Sequence, residues 1–272
     1  MGLRVNTNVA SITAQRHLST VTSSLQGNFS RLASGLRIST AADDAAGLAI
    51  SEKQRSQIRS FGVAARNAQD GISLAQTAEG ALQEVSNILS RVRELSVQSA
   101  NGTLSTDDRT TLDLEAASLL EEVDRIASET EFNGISLLTG GTPISIQIGI
   151  NSGERIDIAP QDTSATNLGL DNVDLTTQTE ASDSLAVVDA AINSLNSSRG
   201  ALGASQNRIS SALRSIQSSR ENLSAAESRI RDVDVASESA ALTRNSILQQ
   251  AAVSVLQQAN TQPQIALSLL QG

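Results

Sequence analysis

The chain contains no cysteine, tryptophan or tyrosine, and its 272 residues include one histidine and three phenylalanines. Without cysteine, the chain cannot form a disulfide bond, a thiolate metal site or a thiol nucleophile. With His17 as its single imidazole, it cannot assemble a histidine-based metal site or a Ser-His-Asp triad. Because aromatic side chains usually supply much of a compact core, their scarcity favours long packed helices. We therefore expect no enzyme, no metal and no cofactor.

Positive charge is also scarce. The net charge is −9, and Lys53 is the single lysine. Proteins bind nucleic acids largely by neutralising phosphates with Lys and Arg, so we expect no nucleic-acid partner. No window approaches the roughly 18 apolar residues of a membrane span, so we expect no membrane insertion. The first residues lack an apolar stretch of signal-peptide length. If the protein is exported, we expect export without a cleaved signal peptide.

Two segments carry apolar or small residues in alternating steps of three and four. The second segment runs from Leu185 to Ile230, and the first comprises Leu74, Ala78, Ala81, Val85, Ile88, Val92, Leu95 and Ser99. This spacing is typical of a coiled-coil seam. It predicts two long helices whose apolar edges pack together.

The ends of the first long helix can be predicted from its flanking residues. Thr40 to Asp43 fit a capping pattern, which predicts a helix from about Asp43 to the stop at Asn101–Gly102. Gly62 and Gly71 are the two positions at which this helix could be interrupted.

Two pairs of neighbouring carboxylates require an interpretation, Asp43–Asp44 and Asp107–Asp108. Each pair stands at a predicted helix start, where acidic side chains interact favourably with the helix dipole. A capping role is therefore favoured over a catalytic role. The second pair, preceded by Ser105, predicts the start of another helix.

In the middle of the chain, apolar residues alternate with polar or small residues. Isoleucine occupies every second position from Ile144 to Ile150, and the same period returns from Arg155 to Ile158 after a turn at residues 151–153. Alternation places one side-chain type on one face of a strand. The pattern predicts a β-hairpin at about residues 140–160 that lies against the helices.

The two ends of the chain carry few charges. Arg16 is the single charged residue between Val5 and Ser30, and the last 37 positions, 236–272, contain only Glu238 and Arg244. Amphipathic helices that bind membranes usually carry Lys or Arg on the polar face, so other protein helices are the favoured partners. The candidate assembly residues on these arms are Leu18, Val21, Leu25 and Leu32 near the N-terminus and Leu248, Val255, Leu256, Leu267 and Leu270 near the C-terminus.

These patterns together predict a mainly α fold. We expect a long antiparallel helical bundle or coiled coil, formed by the N- and C-terminal segments, with a small central β-hairpin region. Residues 1–40 and 236–272 would form one domain of terminal coiled-coil arms. Residues 41–235 would form a helical rod domain that carries the hairpin.

Several blocks of the sequence resemble bacterial flagellins, in the same order and over nearly the whole chain. Because the blocks are long and numerous, the resemblance is far more specific than a single short motif. The blocks are residues 4–11, 32–38, 43–50 (DDAAGLAI), 91–101 (RVRELSVQSAN), 131–134 (EFNG), 247–251, 263–264 and 267–270.

The resemblance implies a structural subunit that polymerises into the extracellular flagellar filament for motility. The terminal arms would line an inner tube, and the long helices and the hairpin would form an outer tube. The chain looks like a short form, without the variable outer domains of larger flagellins. Implied partners are further copies of the chain in a helical homopolymer, the flagellar export apparatus, an export chaperone and the filament cap protein.

The resemblance also implies recognition of the monomer by the innate immune receptor for flagellin. The matching residues are Arg91, Leu95 and Gln98 on the long helix and Glu115 on the next. The same residues could instead serve subunit packing, and the two roles are compatible.

Two other functions stay open at this point. A hook–filament junction protein resembles flagellin at its ends, although the match at residues 91–101 favours flagellin. A secreted amphipathic effector or translocator is a second alternative, against which the lack of basic faces on the arms counts.

Overall fold

The computed structural model describes residues 7–271, with side chains described for residues 7–262. The predicted fold class is confirmed: the chain is mainly helical, with two small antiparallel sheets and a short 3-10 turn at Leu170–Asn172. The helices are α1 (Val9–Ser34), α2 (Ala45–Ser99), α3 (Thr106–Glu129), α4 (Gln178–Arg231) and α5 (Val235–Gln271), and the strands are β1 (Glu131–Phe132), β2 (Ile135–Ser136), β3 (Ile144–Gln147) and β4 (Arg155–Ile158).

The chain divides into two compact units. The first, which we call the arm unit, comprises Met1–Ser56 and Asn222–Gly272, and the second, the central unit, comprises Gln57–Glu221. The first residues of α2 and the last residues of α4 therefore belong to the arm unit. The expected first domain, residues 1–40 and 236–272, contains the two arms without these parts of α2 and α4. That division stays a prediction.

The start of α2 differs from the prediction. Helix α2 begins at Ala45, and the Asp44 carboxylate caps it by accepting the Gly47 N–H at 2.9 Å. Asp43 closes the preceding turn instead, where it accepts the N–H and hydroxyl groups of Thr40 and Ser39. The expectation that Thr40 caps this helix is therefore wrong, because a carboxylate nearer to the helix takes that role.

The start of α3 follows the predicted capping chemistry. Ser105 Oγ accepts the Asp108 N–H at 3.2 Å, and the Asp108 carboxylate accepts the Ser105 N–H at 3.1 Å. This reciprocal capping box satisfies two backbone donors that the helix itself cannot.

Helix α2 continues through Gly62 and Gly71 without a break. The helix is therefore interrupted at neither of these two candidate positions. Gly71 is a packing position: a Cβ built there would overlap Ile146 Cδ1, whereas a Cβ at Gly62 would meet nothing within 4 Å. The hairpin thus approaches the α2 backbone where a side chain is missing.

The predicted hairpin is present, with shorter strands. Strands β3 and β4 pair antiparallel, with Ile144 opposite Ile158 and Gln147 opposite Arg155. Residues 148–154 form the connecting loop. Within the loop, the Glu154 carboxylate accepts hydrogen bonds from the N–H and the side-chain amide of Asn151, each at 2.9 Å. The buried isoleucines of the two strands, Ile146, Ile156 and Ile158, join the core of the central unit.

The core of the central unit is aliphatic. Helix α2 runs antiparallel to both α3 and α4. Its Arg91 binds Glu115 of α3, and its Arg93 binds Asp189 of α4. Because α2 has two neighbours, its buried face is wider than the predicted seam. The fully buried α2 side chains include Leu82 and Leu89, which the seam omitted, beside the predicted Val85, Val92 and Leu95.

The segment between β4 and α4 is fixed by carboxylates of α3. Asp124 accepts the Ala165 N–H at 2.7 Å, and Asp113 accepts the Leu175 N–H at 3.0 Å. Both bonds go to the main chain of the segment. They hold a stretch without long helices or strands against a helix.

Helices α1 and α5 form an antiparallel pair in the arm unit. The Asn245 amide donates to Asn28 Oδ1 at 2.8 Å near one end of the pair, and Ser11 Oγ donates to Asn260 Oδ1 at 2.7 Å near the other. The buried residues along this pair are small or polar, namely Ser11, Ala14, Asn28 and Ala259.

Candidate assembly and recognition surfaces

The structure divides the candidate assembly residues of the arms between two environments. Leu18, Val21, Leu25, Leu32 and Leu256 are half-buried. Leu248 and Val255 face outward instead, with exposures of 46% and 58%. The side chains of Leu267 and Leu270 lie outside the described residues.

Further large apolar residues point away from the helix pair. Val9, Ile12 and Phe29 of α1 are more than half exposed, as are Val235 and Ile247 of α5. Large exposed apolar patches are typical of interaction sites. The arms therefore bury small side chains and present large ones.

A shallow groove lies between the two arm helices on this apolar surface. Its volume is about 260 Å³, and it is lined by Leu25, Phe29, Leu242, Thr243, Ser246 and Ile247.

The candidate recognition residues are centred on an ion pair between α2 and α3. Arg91 Nε and Nη2 donate to Glu115 Oε1 at 3.0 and 2.8 Å, and Nη1 donates to Glu94 Oε2 at 3.1 Å. These hydrogen bonds, with Glu115 contributing most, raise the pKa of Arg91 above its ordinary value. The three side chains are exposed, and exposed ion pairs contribute little to stability. Their charges are therefore available to a partner.

Gln98 lies on the same helix face as Arg91 and Glu94, and it is also exposed. Leu95 does not lie on this surface, because it is fully buried in the core of the central unit. Its position belongs to the α2 seam, where it packs against the neighbouring helices. The surface consists of Arg91, Gln98 and Glu115, and Leu95 supports it from below.

Sequence reasoning missed the residue that fixes α3 beside the end of α2. The Arg109 side chain donates to the carbonyl oxygens of Ser99 at 2.9 Å, Asn101 at 2.7 Å and Leu104 at 2.7 Å, and Arg109 is only 7% exposed. The carbonyl groups at a helix C-terminus lack hydrogen-bond donors within the helix. The Arg109 guanidinium provides such a donor to Ser99, the last residue of α2. An arginine in the first turn of a helix that follows an Asn-Gly stop was the available signal.

Among the residues described, no group of three or more His, Asp or Glu side chains could hold a metal ion. The helices in that part of the chain also include none that is long and apolar enough to cross a membrane.

Two family descriptions match the chain. The bacterial flagellin N-terminal helical region matches residues 5–142, and the bacterial flagellin C-terminal helical region matches residues 185–270. Together they cover α1, α2 and α3, α4 from residue 185 onward, and α5 to residue 270.

Similar proteins extend the match over nearly the full length. A flagellin of Halalkalibacterium halodurans is 46% identical over 98% of this chain and 99% of its own. A flagellin of Bacillus subtilis is 44% identical over 98% of this chain and 100% of its own. A flagellar filament 30.7 kDa core protein of Treponema maltophilum is 43% identical, covering 98% of this chain and 99% of its own.

Solved structures agree on the fold. The crystal structure of Bacillus cereus flagellin is 36% identical, covers 60% of this chain and 94% of its own, and superposes with a TM-score of 0.52. A flagellar hook-associated protein of Vibrio parahaemolyticus shares the fold at 14% identity, with a TM-score of 0.59 over 70% of this chain and 100% of its own. On the family matches and the full-length relatives, the chain belongs to the bacterial flagellin family.

Proposed function

We propose that this chain is a structural subunit of a bacterial flagellar filament, assembled outside the cell from many copies of itself. The observation that carries the proposal is the inverted distribution of apolar side chains in the arms. The described residues that are fully buried between α1 and α5 are small or polar, whereas Phe29, Leu248 and Val255 are exposed. These larger side chains gain most when another copy covers them.

Burial of apolar surface provides about 25 cal/mol per Å², so large outward side chains favour association more than small ones. Contacts between different faces of identical subunits generate an open helical filament when the rotation does not close. The outward residues on α1 and α5 are different, which suits such head-to-tail contacts. The role is mechanical and requires no catalytic group.

The proposed partners other than the chain itself are the flagellar export apparatus, an export chaperone and the filament cap protein. Family membership supports them. A chain without disulfide bonds is also compatible with passage through a channel in an unfolded form.

Substitution at Val255 tests the proposal. Val255→Asp places a charge among apolar side chains that another copy would cover, so we expect elongation from filament seeds to stop. Val255→Ile keeps the apolar surface and serves as the matched control. Electron microscopy and sedimentation measure growth, and circular dichroism checks that the monomer keeps its helix content. Normal growth of the Val255→Asp variant would contradict the proposal.

The same assay separates the alternatives. A hook–filament junction protein would not extend long filaments from its own purified chain. A secreted translocator would release the contents of lipid vesicles, which we do not expect here.

A second function is supported by one surface. Arg91, Gln98 and Glu115 are exposed together, and arginine is a frequent anchor of protein interfaces because its planar fork binds carboxylates and stacks on flat groups. This arrangement supports recognition of the monomer by the innate immune flagellin receptor. We expect Arg91→Ala to lower receptor activation in reporter cells. Arg125→Ala removes another exposed arginine, which pairs with Glu122 and Glu129 of its own helix, and should leave activation unchanged.

A further inference from the structure

Two asparagine–glycine dipeptides lie on the surface of the chain, at Asn101–Gly102 and Asn133–Gly134. The backbone nitrogen that follows an asparagine can attack its side-chain amide, and glycine obstructs this attack least because it has no Cβ. We propose that Asn101 is a site of spontaneous deamidation in the folded chain and that the fold protects Asn133. The reaction takes place in the single chain and does not depend on assembly.

The side chain of Asn101 is folded back over the peptide that would attack it. Asn101 Oδ1 accepts the Thr103 N–H at 3.3 Å, which is an Asx turn. Such a turn folds the side-chain carbonyl back toward the main chain of the two residues that follow the asparagine. The donated hydrogen bond also stabilises negative charge on this oxygen, as a donor in an oxyanion hole does. The electrophile is thus both placed and polarised.

The nucleophile is activated from the other side. Arg109 Nη2 donates to the main-chain oxygen of Asn101 at 2.7 Å, and this oxygen belongs to the same peptide unit as the nitrogen of Gly102. A positively charged donor beside a carbonyl oxygen makes the N–H of the same peptide unit easier to deprotonate. Because Arg109 is only 7% exposed, water screens its charge less than it would at the surface.

Asn133 is held in a different way. Asn133 and Gly134 have φ angles of 52° and 77°, and they connect β1 to β2 as a two-residue turn in which Phe132 pairs with Ile135. Attack requires the asparagine backbone to rotate, and the paired strands on both sides oppose that rotation. The structure describes no hydrogen bond from the Asn133 side chain that resembles the Asx turn at Asn101. The same dipeptide therefore occupies a reactive and a protected environment.

The reaction is balanced by one molecule of water. The Gly102 nitrogen loses its proton and bonds to Cγ of Asn101, the Cγ–Nδ2 bond breaks, and ammonia leaves with the proton. Water then opens the five-membered imide at either carbonyl carbon, which gives aspartate or isoaspartate. Each event adds one negative charge to a chain whose net charge is −9. The charge appears in the α2–α3 connection, three residues after Gln98.

Mass spectrometry of proteolytic peptides measures the reaction at both sites. The full chain is incubated at mildly alkaline pH, once folded and once in concentrated guanidinium chloride. In the denatured chain both asparagines precede glycine and should react at similar rates. In the folded chain we expect Asn101 to react at least about tenfold faster than Asn133, a barrier difference of about 1.4 kcal/mol. Equal protection at the two sites, or faster reaction at Asn133, would overturn the proposal.

Arg109→Gln tests the role of the guanidinium. In the folded variant we expect the rate at Asn101 to fall at least about threefold, with no change in denaturant. Arg125→Gln on the same helix is the matched control and should not alter either rate. An unchanged or faster rate in folded Arg109→Gln would overturn the assistance by Arg109. If the variant does not fold, the comparison of the two asparagines in the unsubstituted chain still decides the proposal.

Discussion

The α1–α5 pair of the arm unit and the central unit bury different kinds of side chain. The central unit encloses full-sized aliphatic residues such as Leu82, Leu89 and Val123, whereas the arm pair encloses Ser11, Ala14 and Ala259. The free energy of burial follows the apolar area removed from water, so a seam of small residues stabilises its helices less. We therefore expect the central unit to be the more stable of the two and the arms to gain stability from contacts with other copies.

The largest expected effect is in the core of the central unit. Leu89→Ala should lower the free energy of unfolding by about 2–5 kcal/mol, because the cavity adds to the lost burial. Leu114→Ala, at a side chain that is 65% exposed, should stay within about 0.5 kcal/mol. Denaturant unfolding followed by circular dichroism measures both. Similar losses for the two variants would show that the core is not where the structure places it.

Two glycines of α2, Gly71 and Gly62, should respond to substitution by alanine with opposite changes in stability. Gly71→Ala should destabilise the central unit by about 1–3 kcal/mol, because its new Cβ overlaps Ile146. Gly62→Ala should stabilise by about 0.5–1 kcal/mol, because alanine is the better helix former and its Cβ meets nothing. Thermal unfolding measures both changes.

A compensating substitution provides the control for this pair. Ile146→Val removes the Cδ1 atom that a Cβ at Gly71 would meet, so it should recover part of the loss in a double variant. No recovery would place the hairpin elsewhere along α2.

The arm seam should respond less than the core. Leu18 is half-buried, so we expect Leu18→Ala to cost about 1 kcal/mol in the single chain. Native-state hydrogen exchange measures this locally: amides of α1 should exchange faster than those of α2 within residues 74–99, and the substitution should speed α1 alone. Equal protection of the two helices would remove the contrast between the units.

The smallest effect concerns acid. The pKa of Asp43 is lowered from 3.8 to about 2, chiefly by the Thr40 N–H and then by the Thr40 hydroxyl. Because the folded-state pKa is the lower one, the contribution of Asp43 to stability is present above pH 3.8 and is lost as the pH falls through about 2. Asp43→Asn should remove this part of the pH dependence. An NMR titration of the carboxyl group measures it, and an ordinary pKa would contradict the hydrogen bonds at this turn.

The sequence predicted what depends on neighbouring residues. Heptad spacing located the α2 and α4 seams, alternation located the hairpin, and Ser105 with Asp108 located the start of α3. The packing role of Gly71 was not predicted, because it depends on Ile146, which is distant in sequence and contacts Gly71 only in the folded chain. The cap of α2 was misplaced because Asp43 and Asp44 are equally plausible from the sequence.

The surfaces were predicted less completely than the helices. The apolar stripe of α5 included Leu248 and Val255, which face outward, because apolar residues surround that helix and no single stripe stands out. Leu95 matched the family's recognition motif and the seam at once, and the structure places it in the core. Arg109 was missed because a buried arginine looks like a surface arginine until the carbonyls around it are known.

The carboxylates of α3 recognise backbone N–H groups of the segment before α4, and this has a consequence for sequence variation. Every residue except proline carries that N–H group, so the bonds from Asp124 and Asp113 do not depend on which side chains stand at positions 165 and 175. An exposed position between them, such as Asn172, can change its side chain while these two bonds are kept. Exposed side chains of this kind can therefore vary in sequence without loss of the two hydrogen bonds that hold the main chain of the segment.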